Sequence, residues 1–124
     1  MSVERAADHP TFEIAGNTVT SFAAPARGST ETALFRTDLP AGGSLPPHRH
    51  DHFDVFVLLE GGATMHIGDT ATQVEAGDAV VVPTGELHWL EAGSSGASLV
   101  VTMVAGTRFI REDDGTETVL PWLS

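Results

Sequence analysis

Turn signals cut this chain into pieces too short for anything but β-strands. Gly16-Asn17 separates Thr11-Phe12-Glu13-Ile14 from Thr18-Val19-Thr20-Ser21-Phe22, and Gly68-Asp69 separates Ala63–Ile67 from Thr70–Val74. Asp113-Asp114-Gly115 does the same between Arg108–Arg111 and Thr116–Leu120. Small or acidic turn residues flanked by β-branched and aromatic residues are the signature of hairpins. Further strands are read at Glu31–Leu39, Val55–Glu60, Ala79–Val82, Leu87–Glu91 and Ser98–Ala105, with loops at Ala24–Thr30 and Ala92–Gly96. Val55-Phe56-Val57-Leu58-Leu59 is apolar on both parities, which predicts a strand covered on both faces. No segment sustains a 3.6-residue period with caps, so helix is expected to be scarce. Many short strands with closely spaced turns mean a sandwich or a barrel.

The chain of 124 residues has the length of one domain with a core of its own. Residues 1–10 are polar, end at Pro10 and are read as a loosely held arm carrying a solvated His9; residues 11–124 are read as the domain. Six basic against seventeen acidic residues give a net charge of −11. Such a surface repels phosphate backbones and anionic lipid heads, which argues against nucleic-acid and membrane partners. There is no cysteine, so thiolate ligands, disulfides and a cysteine nucleophile are excluded. The absence of cysteine and of an apolar leader-like run near Met1 is read as cytoplasmic.

Chemistry is concentrated in Pro46-Pro47-His48-Arg49-His50-Asp51-His52-Phe53-Asp54. Three histidines and a carboxylate stand at every second position, and a strand sends alternate side chains to one face. Continuous strand through this stretch would put His48, His50, His52 and Asp54 on one wall. Imidazole and carboxylate together suit a borderline divalent metal such as iron, zinc, nickel, copper or manganese. The competing reading is a solvated His-rich loop following a Pro-Pro turn.

The spacing extends further. Gly42 is followed by five residues, His48, one residue, His50, three residues, Asp54, six residues and Gly61. Gly77 is followed by five residues, Pro83, one, Gly85, two and His88. This pair resembles the two motifs of the cupin family, G-x5-H-x-H-x3,4-E-x6-G and G-x5-P-x-G-x2-H-x3-N. The chain departs from them at two places, with Asp54 where Glu is usual and Ala92 where Asn closes the second motif. The resemblance implies an all-β, double-stranded β-helix (jelly-roll) barrel in a single domain. It also implies a divalent transition metal held by His48, His50, His88 and Asp54, with a small substrate in the barrel lumen. An aspartate reaches less far than a glutamate by roughly 1.5 Å of chain. Either the backbone compensates, or Asp54 stands off as a proton-carrying catalytic group and His52 is a reserve ligand.

Other residues are weighed against plainer roles. Phe56, Leu58, Met65, Val80, Val82 and Leu90 are read as barrel wall, with Phe56 and Leu58 the better pocket candidates because they share Asp54's parity. His66 is read as a satisfied surface histidine, Glu86 as a solvated turn residue, and Trp89 and Trp122 as packing or dimer-contact residues. For function, the resemblance implies first a dioxygenase acting on a chelating aromatic or enediol substrate and O2. A non-redox metal enzyme (polyketide cyclase, isomerase or lyase) is the alternative, and a non-catalytic ligand-binding module the third. The resemblance also implies a homodimer, in which exposed strand edges would be covered.

Overall fold

The computed structural model describes residues 1–124, and apart from three single 3-10 turns all its regular structure is strand. The strands are β1 (Thr11–Ile14), β2 (Asn17–Ala23), β3 (Thr32–Leu39), β4 (Ser44–His50) and β5 (Asp54–Ile67). They continue with β6 (Thr70–Glu75), β7 (Ala79–Val82), β8 (His88–Val104), β9 (Phe109–Arg111) and β10 (Glu117–Thr118). All pairings are antiparallel. One path runs β1-β2-β3-β8-β4-β9-β10, and β5 bridges β6, β7 and β8. This is the double-stranded β-helix of a jelly-roll barrel, and the hairpins read at Gly68-Asp69 and near Gly16 are both present.

Two long strands organise the rest. Val55–Glu60 and Ala63–Ile67, read as separate strands, are one 14-residue strand; Leu87–Glu91 and Ser98–Ala105 likewise belong to one of 17 residues. The glycines that look like breaks in the sequence are bends within the ladder. Register shifts fall at Leu58/Glu60 and Gly61/Ala63, where β5 lies against Ala92–Leu99 of β8. Gly61 has φ 79°, and a Cβ there would lie 2.0 Å from the carbonyl oxygen of Gly96, itself at φ 75°. Only glycine allows two backbones so close in that conformation.

At this crossing both strands change neighbours. The first half of β8 pairs with β4 (His48 opposite His88, Leu45 opposite Leu90) and with the second half of β5. Its second half pairs with β3 from Thr32–Val104 to Leu39–Ala97, and with the first half of β5. Two half-sheets therefore curl over one shared core.

Alternation fills that core: in β3, Ala33, Phe35, Thr37 and Leu39 point inward and are at most 4% exposed. Val19, Phe56, Leu58, Met65, Val82, Leu90, Leu99 and Val101 face them from the other strands. The closing turn Pro121–Leu123 folds back onto this core, with Trp122 tilted against Phe12 and Phe35 at ring-centroid distances of 5.6 and 6.2 Å. The Gly106 amide donates to the Leu123 carbonyl and pins the turn. Asn17, fully buried, donates from Nδ2 to the Ser44 carbonyl at 2.9 Å and ties β2 to the start of β4.

Candidate metal centre

The imidazoles of His48 and His50 project inward from β4, and that of His88 from the first position of β8, directly opposite His48. Their ring centroids lie 4.2 Å apart for His48–His88, 4.7 Å for His48–His50 and 5.1 Å for His50–His88. One nitrogen from each lies within 4.8 Å of the other two. All three residues are buried, at 7, 3 and 5% exposure.

Backbone carbonyls two residues upstream fix two of the rings. His48 Nδ1 lies 2.6 Å from the Pro46 carbonyl and His88 Nδ1 lies 2.8 Å from that of Glu86. A carbonyl only accepts, so Nδ1 carries the proton and Nε2 keeps its lone pair. This is the tautomer a metal ligand needs, oriented by the shell behind it. Neither nitrogen of His50 has a partner in the protein. Phe109 of β9 stacks on His48 at 4.4 Å and 22° and holds that ring from the far side.

Burial sets the charge state. It pushes His48 and His50 down to about 3, helped by the charge of neighbouring histidines, and it lowers His88 as well. All three are neutral at pH 7, as metal ligation requires. Buried neutral imidazoles with free lone pairs, one without any partner, are a donor set that can hold a divalent transition metal.

Asp54 stands apart. It is 4% exposed, its Oδ1 has no partner, and burial pushes its carboxyl up to about 7. It lines the same cavity but does not join the three-histidine group. The reason is a bend that alternation alone does not reveal. The chain leaves β4 after His50, and Asp51–Phe53 form a bend fastened to the residue before β9. The Arg108 amide donates to Asp51 Oδ1 at 2.7 Å, and the Asp51 amide donates to the Arg108 carbonyl. The single wall expected for positions 48 to 54 is therefore two walls. His52 swings outward with its side chain 47% exposed, 2.9 Å from Asp51 Oδ1, so it is no reserve ligand. Asp54 opens β5, which pairs with β6, β7 and β8 but not with β4.

The second motif's turn is tied to the first. The Gly85 amide donates to the His50 carbonyl at 2.9 Å, and Arg49 Nη1 donates to the Gly85 carbonyl at 3.0 Å. Gly85 has φ 77°, a conformation that suits glycine. Glu86 is exposed in this turn and serves through its backbone carbonyl alone.

Phe56 lines the cavity as anticipated, whereas Leu58 is wholly buried in the core without reaching it. Trp89 and Trp122 both reach the lining. His66 lies elsewhere, stacked on Trp89 at 4.5 Å and 2.6 Å from Glu91. Phe35, Thr37, Met103 and Phe109 also face the cavity and carry no motif. Only inward parity on β3, β8 and β9 could have pointed to them.

The cupin domain family's sequence profile matches residues 35–105, a span that holds every histidine of this centre and more than half of the chain. This chain is a cupin. It is 35% identical over 78 residues to acireductone dioxygenase 1 of Nocardia farcinica, covering 60% of this chain and 38% of that protein. The cupin thus spans little more than a third of the length of the curated relatives it matches. Among solved structures, the polyketide cyclase RemF of Streptomyces resistomycificus superposes with a TM-score of 0.75 at 20% identity, over 93% of this chain and 89% of that one. An RmlC-like cupin from Shewanella frigidimarina gives 0.73 at 18% identity, over 84 and 90%. At these identities the two structures speak for the fold.

Proposed function

We propose that this cupin is a metal-dependent enzyme of the dioxygenase type, joining O2 to a small substrate that chelates through two adjacent oxygens. One observation carries the reading: three neutral imidazoles converge in the wall of an apolar cavity that also holds an unpartnered carboxyl. The dioxygenase among its relatives is named for acireductone, and a reductone is an enediol, the kind of group two adjacent oxygens make.

A divalent metal on His48, His50 and His88 would supply Lewis acidity toward the substrate oxygens and, where redox-active, a route for electrons to O2. The protein's own part is placement and proton handling. Asp54, near neutrality in the metal-free protein, is drawn toward carboxylate by positive charge in the cavity and accepts the substrate's hydroxyl proton. The apolar walls keep water from competing for that proton. The same constellation without oxygen, Asp54 acting as acid and base beside a Lewis acid, is the alternative reading of a cyclase, isomerase or lyase.

Elemental analysis of protein purified without chelators, followed by O2-uptake assays on catechols and enediols, tests the reading. About one iron, copper, nickel or manganese per chain with substrate-dependent O2 uptake supports it. Turnover indifferent to oxygen favours the Lewis-acid alternative, and no metal after reconstitution leaves a ligand-binding module. His50→Ala is expected to cut bound metal from about one per chain to near zero with an unchanged circular dichroism spectrum. Unchanged metal content would refute the ligand assignment.

We also propose a homodimer. Cross-strand register places Leu34, Val57 and Val81 on one outer face of β3-β8-β5-β7, each at least 36% exposed. Arg36 and Asp38 on that face pair with each other at 3.0 Å, and Glu60 stands at its edge opposite Ser98. Contiguous exposed apolar surface of this kind marks an interface. Light scattering should return twice the chain mass for the wild type and the single mass for Val57→Lys; a monomeric wild type refutes it. The proposed setting is the cytoplasm, in keeping with the absence of cysteine.

A further inference from the structure

The cavity walls restrict what the ligand can be beyond its chelating edge. Apart from the three histidines, the lining side chains that can exchange a hydrogen bond with a ligand body are Asp54, Thr37 and the indole N–H groups of Trp89 and Trp122. No lysine or arginine lines it. The remaining surface is aromatic or aliphatic, with Phe35, Phe56, Phe109 and Trp122 as its rings.

A polyol or sugar acid would fare badly here. Each hydroxyl moved from water into such walls needs a partner, and the walls offer few for a body that carries several. A carboxylate on the part of the ligand that points away from the metal would be buried with no lysine or arginine to meet it and with Asp54 in the same cavity. A flat apolar body loses nothing on entry and packs against the ring edges and faces.

We propose that the cavity takes a ligand whose body is planar, apolar and uncharged, with two adjacent oxygens along one edge; an o-dihydroxyaryl group is the simplest such molecule. The inference rests on the metal reading above. It assigns substrate class to the cavity walls and leaves the reaction type aside.

Calorimetric titration of zinc-loaded protein under oxygen-free conditions tests it with three probes. 4-Methylcatechol and 3,4-dihydroxybenzoate share ring and chelating edge and differ in body charge; ascorbate is an enediol with a hydroxylated, non-aromatic body. 4-Methylcatechol should bind about tenfold or more tightly than either of the others. Equal affinities, or tighter binding of the carboxylate or of ascorbate, overturn the inference. Zinc binding is measured first: if zinc fails to bind, the metal reading falls, whereas zinc binding without ligand discrimination sinks only this inference. Leu99→Phe, which fills the cavity from β8, should weaken 4-methylcatechol by about tenfold while zinc binding persists. Should that variant fail to fold, the ranking of the three probes on the wild type still decides.

Discussion

At the scale of the residue, the four groups of the site differ in who satisfies them. His48 and His88 are oriented by backbone carbonyls, whereas His50 and Asp54 Oδ1 have no partner at all. Unpartnered buried polar atoms cost folding free energy, so their presence marks a place where function takes precedence over stability. Asp54→Asn keeps size and removes the titrating proton. It should retain about one metal per chain and lower kcat by 10²–10⁴, roughly the worth of a general base. Loss of metal in this variant would instead make Asp54 a ligand. The spacing of the two histidine motifs made His48, His50 and His88 legible in the sequence. What it did not contain was the Asp51 clasp on Arg108, a contact across 57 residues, so His52 and Asp54 read as continuing a strand that had already ended.

At the scale of the element, β5 and β8 carry the architecture, and both bend where Gly61 meets Gly96. Gly61→Ala would force a methyl carbon against a backbone carbonyl and strain a positive φ at once. It should lower stability by about 2 kcal/mol or more, read as a shift of the denaturation midpoint. A neutral result would mean that the two backbones can separate freely. The strand content and the hairpins were visible because local chemistry dictates them. The fusion of neighbouring runs into two long strands was not, because glycine signals a turn and a ladder bend equally well. Leu58 illustrates the same limit: parity placed it inward correctly, but whether an inward residue lines the cavity or fills the core depends on the strands opposite.

At the scale of the molecule, the buried groups set a dependence on pH. In the metal-free protein His48 and His50 titrate at about 3 rather than 6.5, and His88 is lowered too. The unfolded chain therefore binds more protons between those values, and stability falls as pH drops below about 6.5. Asp54, raised to about 7, acts in the opposite sense: the folded state holds its proton longer, and stability falls as pH rises from about 4 to 7. Three histidines outweigh one carboxylate, so the metal-free protein should melt at progressively lower temperature from pH 6.5 to pH 4. Bound metal raises the melting temperature at neutral pH, and the increment shrinks on acidification as protons compete for the imidazoles. A melting temperature that is flat from pH 6.5 to 4 would show that the histidines are already solvated.

The pairing of β4 with β8 on one side and β9 on the other has a consequence for the life of the chain. His48 and His88 are forty positions apart, and Phe109, which backs His48, follows twenty-one later. While the ribosome is still making β9, all three imidazoles have been synthesised but the wall behind them has not. Contacts of such sequence separation close late. A metal at these histidines is thus expected to enter the finished barrel, and a fragment ending before residue 109 should hold metal less tightly than the full chain in a titration.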